Sequence, residues 1–129
     1  MFTLAQIQAA HAKVKSGADF PAYVQELIQL GVRHYENFVS DGHTQYVGQG
    51  DYTVSSSAKY PTLEIASEIN LPQFQVDLKA HQQGQSDYLS FCGYCAKLGV
   101  EKWQVSMEKM TCTYFDQAGN EVLVEQIPA

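Results

Sequence analysis

Leu30-Gly31-Val32 returns sixty-eight positions later as Leu98-Gly99-Val100. Each copy reads as the end of a helix, a glycine able to take the left-handed conformation that stops it, and the start of a strand. Holding that offset without a gap lays residues 19–54 over 87–122, with identities at Asp19/Asp87, Leu30/Leu98, Gly31/Gly99, Val32/Val100, Tyr46/Tyr114, Gln49/Gln117 and Val54/Val122. Bulky residues match at Phe20/Tyr88, Tyr23/Phe91, Tyr35/Trp103, Val39/Met107 and Val47/Phe115. These are the types a packed unit needs: a cap, helix-face aromatics, a turn glycine and strand-face aromatics. The chain therefore reads as a single domain, 1–129, built from two related halves, about 1–66 and 67–129.

Within the first half, Thr3-Leu4-Ala5-Gln6 has the form of a capping box and predicts a helix from Leu4 to Lys15 that ends at Ser16-Gly17. Asp19 caps a second helix, with Pro21 in its first turn and an inward face of Tyr23, Val24, Leu27, Ile28 and Leu30. From Val32 the period changes to two, placing Tyr35, Asn37 and Val39 on one face and His34, Glu36 and Phe38 on the other. Asp41-Gly42 predicts a hairpin into a strand from His43 to Val47, and a further turn leads into a strand from Tyr52 to Ser56. Residues 55–61 read as a surface loop, and Thr62–Ala66 as a short strand. In the second half Asn70 caps a helix carrying Phe74 and Leu78 inward, and Gly84 stops it. Ser86 or Asp87 caps the next, whose inward stripe is Tyr88, Phe91, Cys92, Cys95 and Leu98. A second three-strand meander follows. The expected fold is α+β, two helix-helix-meander units with pseudo-twofold symmetry, sharing one sheet or forming two that face each other.

Size and composition narrow the function classes. A chain of 129 residues buries roughly two-thirds of its unfolded surface, so a real core is available without staples. With 45% hydrophobic and 17% charged residues it reads as globular, and no apolar run approaches the roughly 18 residues a bilayer span requires, so no membrane role is expected. Met1-Phe2-Thr3-Leu4-Ala5-Gln6 lacks the basic stretch and apolar region of a secretion signal, so the expected location is cytoplasmic. A net charge of −6, with no basic cluster larger than Lys13 and Lys15, argues against an electrostatic grip on nucleic acid phosphates by a monomer, and no nucleic acid partner is expected. The acids are interleaved with Lys and Arg, which also argues against a DNA mimic. Three cysteines are an odd count, and no disulfide framework is expected.

Three groups of residues carry candidate chemistry. His34, Glu36, Asp41, His43 and Tyr46 gather on the first hairpin, where the second copy has Lys102, Gln104, Lys109, Thr111 and Tyr114. Chemistry present in one copy and lost from the other marks where function could be added to a duplicated frame, so these five form the candidate binding set, and drift on an exposed hairpin is the plainer reading of the same pattern. An acid–base enzyme built on the same His, Glu and Tyr residues is the alternative from another class. Cys92-Gly93-Tyr94-Cys95 matches C-x-x-C, but lies within a helix and falls over Val24 and Leu27, which reads as core packing. A thiol or zinc site would recruit Cys112 and His81 to Cys92 and Cys95. His11 and His81 lie late in the first helix of each half, where an imidazolium interacts well with helix carbonyls, and read as capping or partly buried side chains. The aromatics Tyr23, Tyr35, Tyr46, Tyr88, Phe91, Trp103, Tyr114 and Phe115 read first as core, and the tyrosine hydroxyls among them also suit a pocket between the halves. No cofactor is implied, since no glycine-rich phosphate loop, nucleophile elbow or metal-spaced carboxylate cluster occurs.

Ser16-Gly17-Ala18-Asp19-Phe20, the stretch Phe38-Val39-Ser40-Asp41-Gly42-His43-Thr44, the run Asp77-Leu78-Lys79-Ala80-His81-Gln82-Gln83-Gly84 and Met110-Thr111-Cys112-Thr113-Tyr114 carry a resemblance. Over essentially its whole length the chain resembles the YdfO-like family of small uncharacterised bacterial proteins, often prophage-encoded, some of which bear the label phage envelope protein. The resemblance implies a bacterial or prophage protein with an α+β fold and carries over no catalytic or ligand residue. The reading that follows is a non-enzymatic module binding a small ligand or a protein partner, through the groove between the halves or through a dimer face. An exposed outer strand of either meander offers a pairing edge for a homodimer.

Overall fold

A computed structural model describes residues 2–15 and 19–127. Helices α1 (Leu4–His11) and α2 (Phe20–Leu30) precede strands β1 (His34–Phe38), β2 (Thr44–Val47) and β3 (Thr53–Ser55). Helices α3 (Leu71–Gln82) and α4 (Tyr88–Leu98) then precede β4 (Val100–Ser106), β5 (Thr111–Asp116) and β6 (Glu121–Gln126). All six strands form one antiparallel sheet in the order β3-β2-β1-β4-β5-β6, so the fold is α+β and the two meanders share one sheet.

The offset of sixty-eight recurs in the backbone. Helix α2 shifted by that amount coincides with α4, residue for residue. The β1–β2 pairs His34↔Val47, Tyr35↔Tyr46, Glu36↔Gln45 and Asn37↔Thr44 become the β4–β5 pairs Lys102↔Phe115, Trp103↔Tyr114, Gln104↔Thr113 and Val105↔Cys112. Left-handed backbone recurs too, at Gly31/Gly99, Gly42/Met110 and Asp51/Gly119. The halves meet where β1 pairs with β4, and there Glu36 faces Gln104, its own counterpart under the offset.

Local signals explain most of the elements. Thr3 accepts from the Gln6 backbone N–H at 3.2 Å while the Gln6 side chain accepts from the Thr3 N–H at 2.8 Å, the reciprocal capping box. Asn70 and Asp87 cap α3 and α4 through the Gln73 and Ser90 N–H groups. Gly31 and Gly99, at φ 99° and 91°, end α2 and α4. One continuous core fills the space between helices and sheet, with Ile7, Val24, Leu27, Val39, Phe74, Val100 and Val105 almost wholly enclosed. Each such side chain contributes about 1.5–3 kcal/mol by leaving water.

Four expectations are corrected. Helix α1 ends at His11, short of Lys15, because Lys13 and Val14 donate to carbonyls three residues back and Lys15 donates to the Asp19 carboxylate at 2.9 Å. The Ser16-Gly17 stop lies outside the described residues. Asp19 holds the position before α2 in helical backbone, and its side chain serves Lys15 instead of capping. Ile28 is exposed, one residue around from the Tyr23, Val24 and Leu27 stripe, while Leu30, Tyr88 and Leu98 are half-buried. Thr62–Ala66 forms no strand: Leu63 donates to Ser40 and Ala66 to Ala96, so the segment is tied to two different elements and pairs with neither.

Candidate functional site

Side chains on the sheet alternate between two environments. Tyr35, Asn37, Val39, Thr44, Tyr46, Val105, Cys112 and Tyr114 face the helices and are buried. His34, Glu36, Phe38, His43, Lys102, Gln104 and Phe115 point the other way and are half-exposed. The five residues of the hairpin set are therefore split. Tyr46 pairs in register with Tyr35 and shares its buried face, their rings 5.5 Å apart. Burial drives the Tyr46 phenol above its ordinary pKa, against hydrogen bonds to Tyr23 and Thr44.

The four on the outer side form separate contacts. The Asp41 carboxylate accepts from the His43 backbone N–H at 3.0 Å and lies 2.5 Å from His43 Nδ1. Those contacts, the backbone one first, hold the Asp41 carboxyl below its ordinary pKa. His43 stacks on Phe38 at 4.4 Å, nearly parallel. Glu36 pairs with Lys102 at 2.6 Å, and the Lys102 ammonium also lies over Phe115 at 5.2 Å. His34 stands at the far end of β1, opposite Val47 and Ser106. An acid–base set of His34, Glu36 and Tyr46 is thus not assembled: Glu36 is engaged by lysine and Tyr46 is on the reverse of the sheet. Beside His34 the face sinks into a concavity of about 590 Å³, lined by Gln104, Ser106, Lys109, Thr111 and Thr113 among others. The Arg33–Glu108 ion pair lines this hollow and also a second, more apolar one of about 470 Å³ beside Phe2, Ile28 and Met107.

The cysteines are interior. Cys92, Cys95 and Cys112 are free thiols buried among helix and sheet residues. Burial raises all three pKa values, that of Cys112 to about 12, which suppresses the thiolate that redox chemistry and metal binding need. His81 lies apart from a shared site with them: its ring stacks on Phe91 at 4.3 Å and its Nδ1 is 3.0 Å from the Ser86 carbonyl. Among the described residues no group of three His, Cys, Asp or Glu is placed to hold a metal ion. His11 and His81 both have lowered pKa values, chiefly through burial, so folding favours the neutral ring.

A polar network not singled out as a site by sequence lies on the helix-facing side. Asn37 is 5% exposed, and its Oδ1 accepts from Thr44 Oγ1 at 2.9 Å and from the Tyr88 hydroxyl at 3.0 Å. Its Nδ2 has no hydrogen-bond partner. The Lys59 ammonium sits 5.1 Å from the centre of the Tyr88 ring, and the Tyr60 hydroxyl donates to the Val39 carbonyl at 2.5 Å. The signal was available in the offset alignment, where Asn37 and Thr44 fall over Val105 and Cys112.

No helix among the described residues is long and apolar enough to cross a membrane. No curated protein matches the chain. The family described as Protein of unknown function (DUF1398) matches over residues 8–126, nearly the full length, and the chain belongs to that family.

Proposed function

We propose that this chain is a non-enzymatic binding module that takes a small polar ligand on the open face of its sheet, in the concavity beside His34. The concavity itself carries the reading. Its volume of about 590 Å³ falls within the usual range for small-molecule sites, and its lining offers donors and acceptors from four strands of one sheet, β1, β4, β5 and β6. His34, Gln104, Ser106, Thr111 and Thr113 suit a ligand with several hydrogen-bonding groups and no large apolar body. The coincident helices, strand registers and left-handed positions support a duplication as the origin of the frame, with pseudo-twofold symmetry. The resemblance to YdfO-like proteins supports a bacterial or prophage-encoded origin and a cytoplasmic setting.

Native mass spectrometry of the protein purified from its expression host tests this reading. The expected result is a retained small molecule on the wild type that is absent from Ser106→Phe, which fills the hollow without touching the core. A bare wild type, or equal retention by both proteins, overturns it and turns attention to a protein partner or a homodimer.

A further inference from the structure

We infer that the network around Asn37, on the opposite side of the sheet, is a second site, one that receives an anionic oxygen from a small carboxylate or phosphate. It is independent of the open-face reading.

The fold does not require polar groups there. Under the offset Asn37 corresponds to Val105, Thr44 to Cys112, Tyr88 to Phe20 and Cys92 to Val24. Val105 and Cys112 occupy the matching register on the same face, are buried, and are apolar or nearly so. The second half thus serves as an internal control, built on the same backbone with the polar groups left out. Burying a carboxamide is unfavourable unless each of its polar atoms finds a partner, and Asn37 Nδ2 has none. Two hydroxyls, from Thr44 and Tyr88, converge on the other amide atom. In the structure the shared atom is the oxygen, which leaves the Nδ2 donor without a partner. A donor without an acceptor points to a ligand that brings one.

Charge supports the same reading. Lys59 forms no salt bridge with a carboxylate among the described residues, although the chain carries fourteen acids. Its ammonium instead lies over the Tyr88 ring, partly withdrawn from water. The charge of Lys59 also reaches His11, where it is second to burial in lowering the pKa of the ring. Exposure grades inward from Lys59, exposed, through half-buried Tyr60 and Tyr88 to buried Asn37. The exposed end of that series carries a cation and the buried end an amide donor, the pair of groups that charge-assisted hydrogen bonding to an oxyanion uses. The segment above is held in place: the Lys59 and Leu63 backbone N–H groups donate to the Asp41 and Ser40 carbonyls, and the Tyr60 hydroxyl donates to the Val39 carbonyl.

The test is nuclear magnetic resonance of the full chain, following the Asn37 side-chain NH2 pair while sodium acetate or inorganic phosphate is added at constant ionic strength against chloride. The expected result is a saturable shift with one of the two anions, acetate identifying a carboxylate site and phosphate a phosphoryl site. In Lys59→Gln, an exposed change that leaves the core alone, the midpoint should move at least tenfold higher. Asn37→Val, which installs the counterpart residue, should stay folded and lose binding altogether, read from backbone amides nearby. Linear shifts matching chloride for both anions overturn the proposal, as does Lys59→Gln binding like wild type. Should Asn37→Val fail to fold, Lys59→Gln decides alone. Ser106→Phe lies on the other face and leaves these shifts unchanged, so each site can fail without the other.

Discussion

His81 shows how one side chain couples packing to pH. Its ring stacks on Phe91 and its Nδ1 faces the Ser86 carbonyl, a setting in which burial disfavours the charged form. Its folded pKa lies below the ordinary value of about 6.5, and His11 is shifted the same way. Between the lowered and the ordinary value the unfolded chain binds more protons than the folded one. Stability is therefore full above about pH 6.5 and falls as pH drops from there through the folded pKa. Asp41, Asp87 and Asp116 are shifted downward, so their contribution is present above the ordinary carboxylate range and is lost only as pH falls through it, leaving the window from about 7.5 to 5.5 to the histidines. Urea midpoints across that window should decline for the wild type and decline less for His81→Phe, which keeps an aromatic ring on Phe91 and cannot titrate. Equal slopes would place the linkage elsewhere. The helical position of His81 was legible from sequence, but its preferred charge state was not, because that depends on Phe91 and Ser86 packing around the ring.

At the scale of elements, the two helix-to-strand junctions share a backbone but differ in what surrounds them. A Cβ added to Gly99 would lie against the Glu68 carbonyl and 2.9 Å from Ile69 Cα, both backbone, whereas at Gly31 the nearest atom is a Phe2 ring carbon at 4.0 Å. Gly31→Ala should therefore cost only the left-handed penalty, about 1–2 kcal/mol. Gly99→Ala adds a backbone clash that side-chain motion cannot relieve, so its cost should exceed that of Gly31→Ala by at least about 1 kcal/mol. Urea unfolding of the two variants checks this, and equal costs would mean that the Glu68–Ile69 segment yields freely. The offset of sixty-eight was readable at these junctions because both keep glycine. It was unreadable at Gly42/Met110 and Asp51/Gly119, where one partner adopts left-handed backbone with an ordinary side chain. Register explains the face taken by Tyr46, which the sequence reading did not assign. Alternation along β1 assigned His34, Glu36 and Asn37 to their faces correctly, but the face of Tyr46 follows from its pairing with Tyr35 across the hairpin, and that depends on the number of residues the turn consumes.

At the scale of the whole molecule, the seam between β1 and β4 decides whether either half is a folding unit. Five residue pairs join the strands, from His34↔Ser106 to Phe38↔Lys102, and a single core runs across them from Ile7 and Leu27 to Phe74 and Phe91. The connection is bound to both halves, through Leu63 to Ser40 on one side and through Ala66 to Ala96 and Asn70 to Leu98 on the other. Cut apart, each half would expose a central strand as an unpaired edge and the apolar wall it shares with its neighbour. A unit of about 60 residues buries only around 60% of its unfolded surface even when complete, which leaves little margin for losing a wall. The fragments 1–66 and 67–129, produced separately, should each lack a cooperative urea transition by circular dichroism. Mixed at equal concentration they should recover native-like signal and a single transition, since the seam is formed by ordinary antiparallel pairing between them. A cooperative transition in either fragment alone would mean that its meander and helices close a core unaided, and the two-unit frame would then be a pair of small domains instead of one shared sheet.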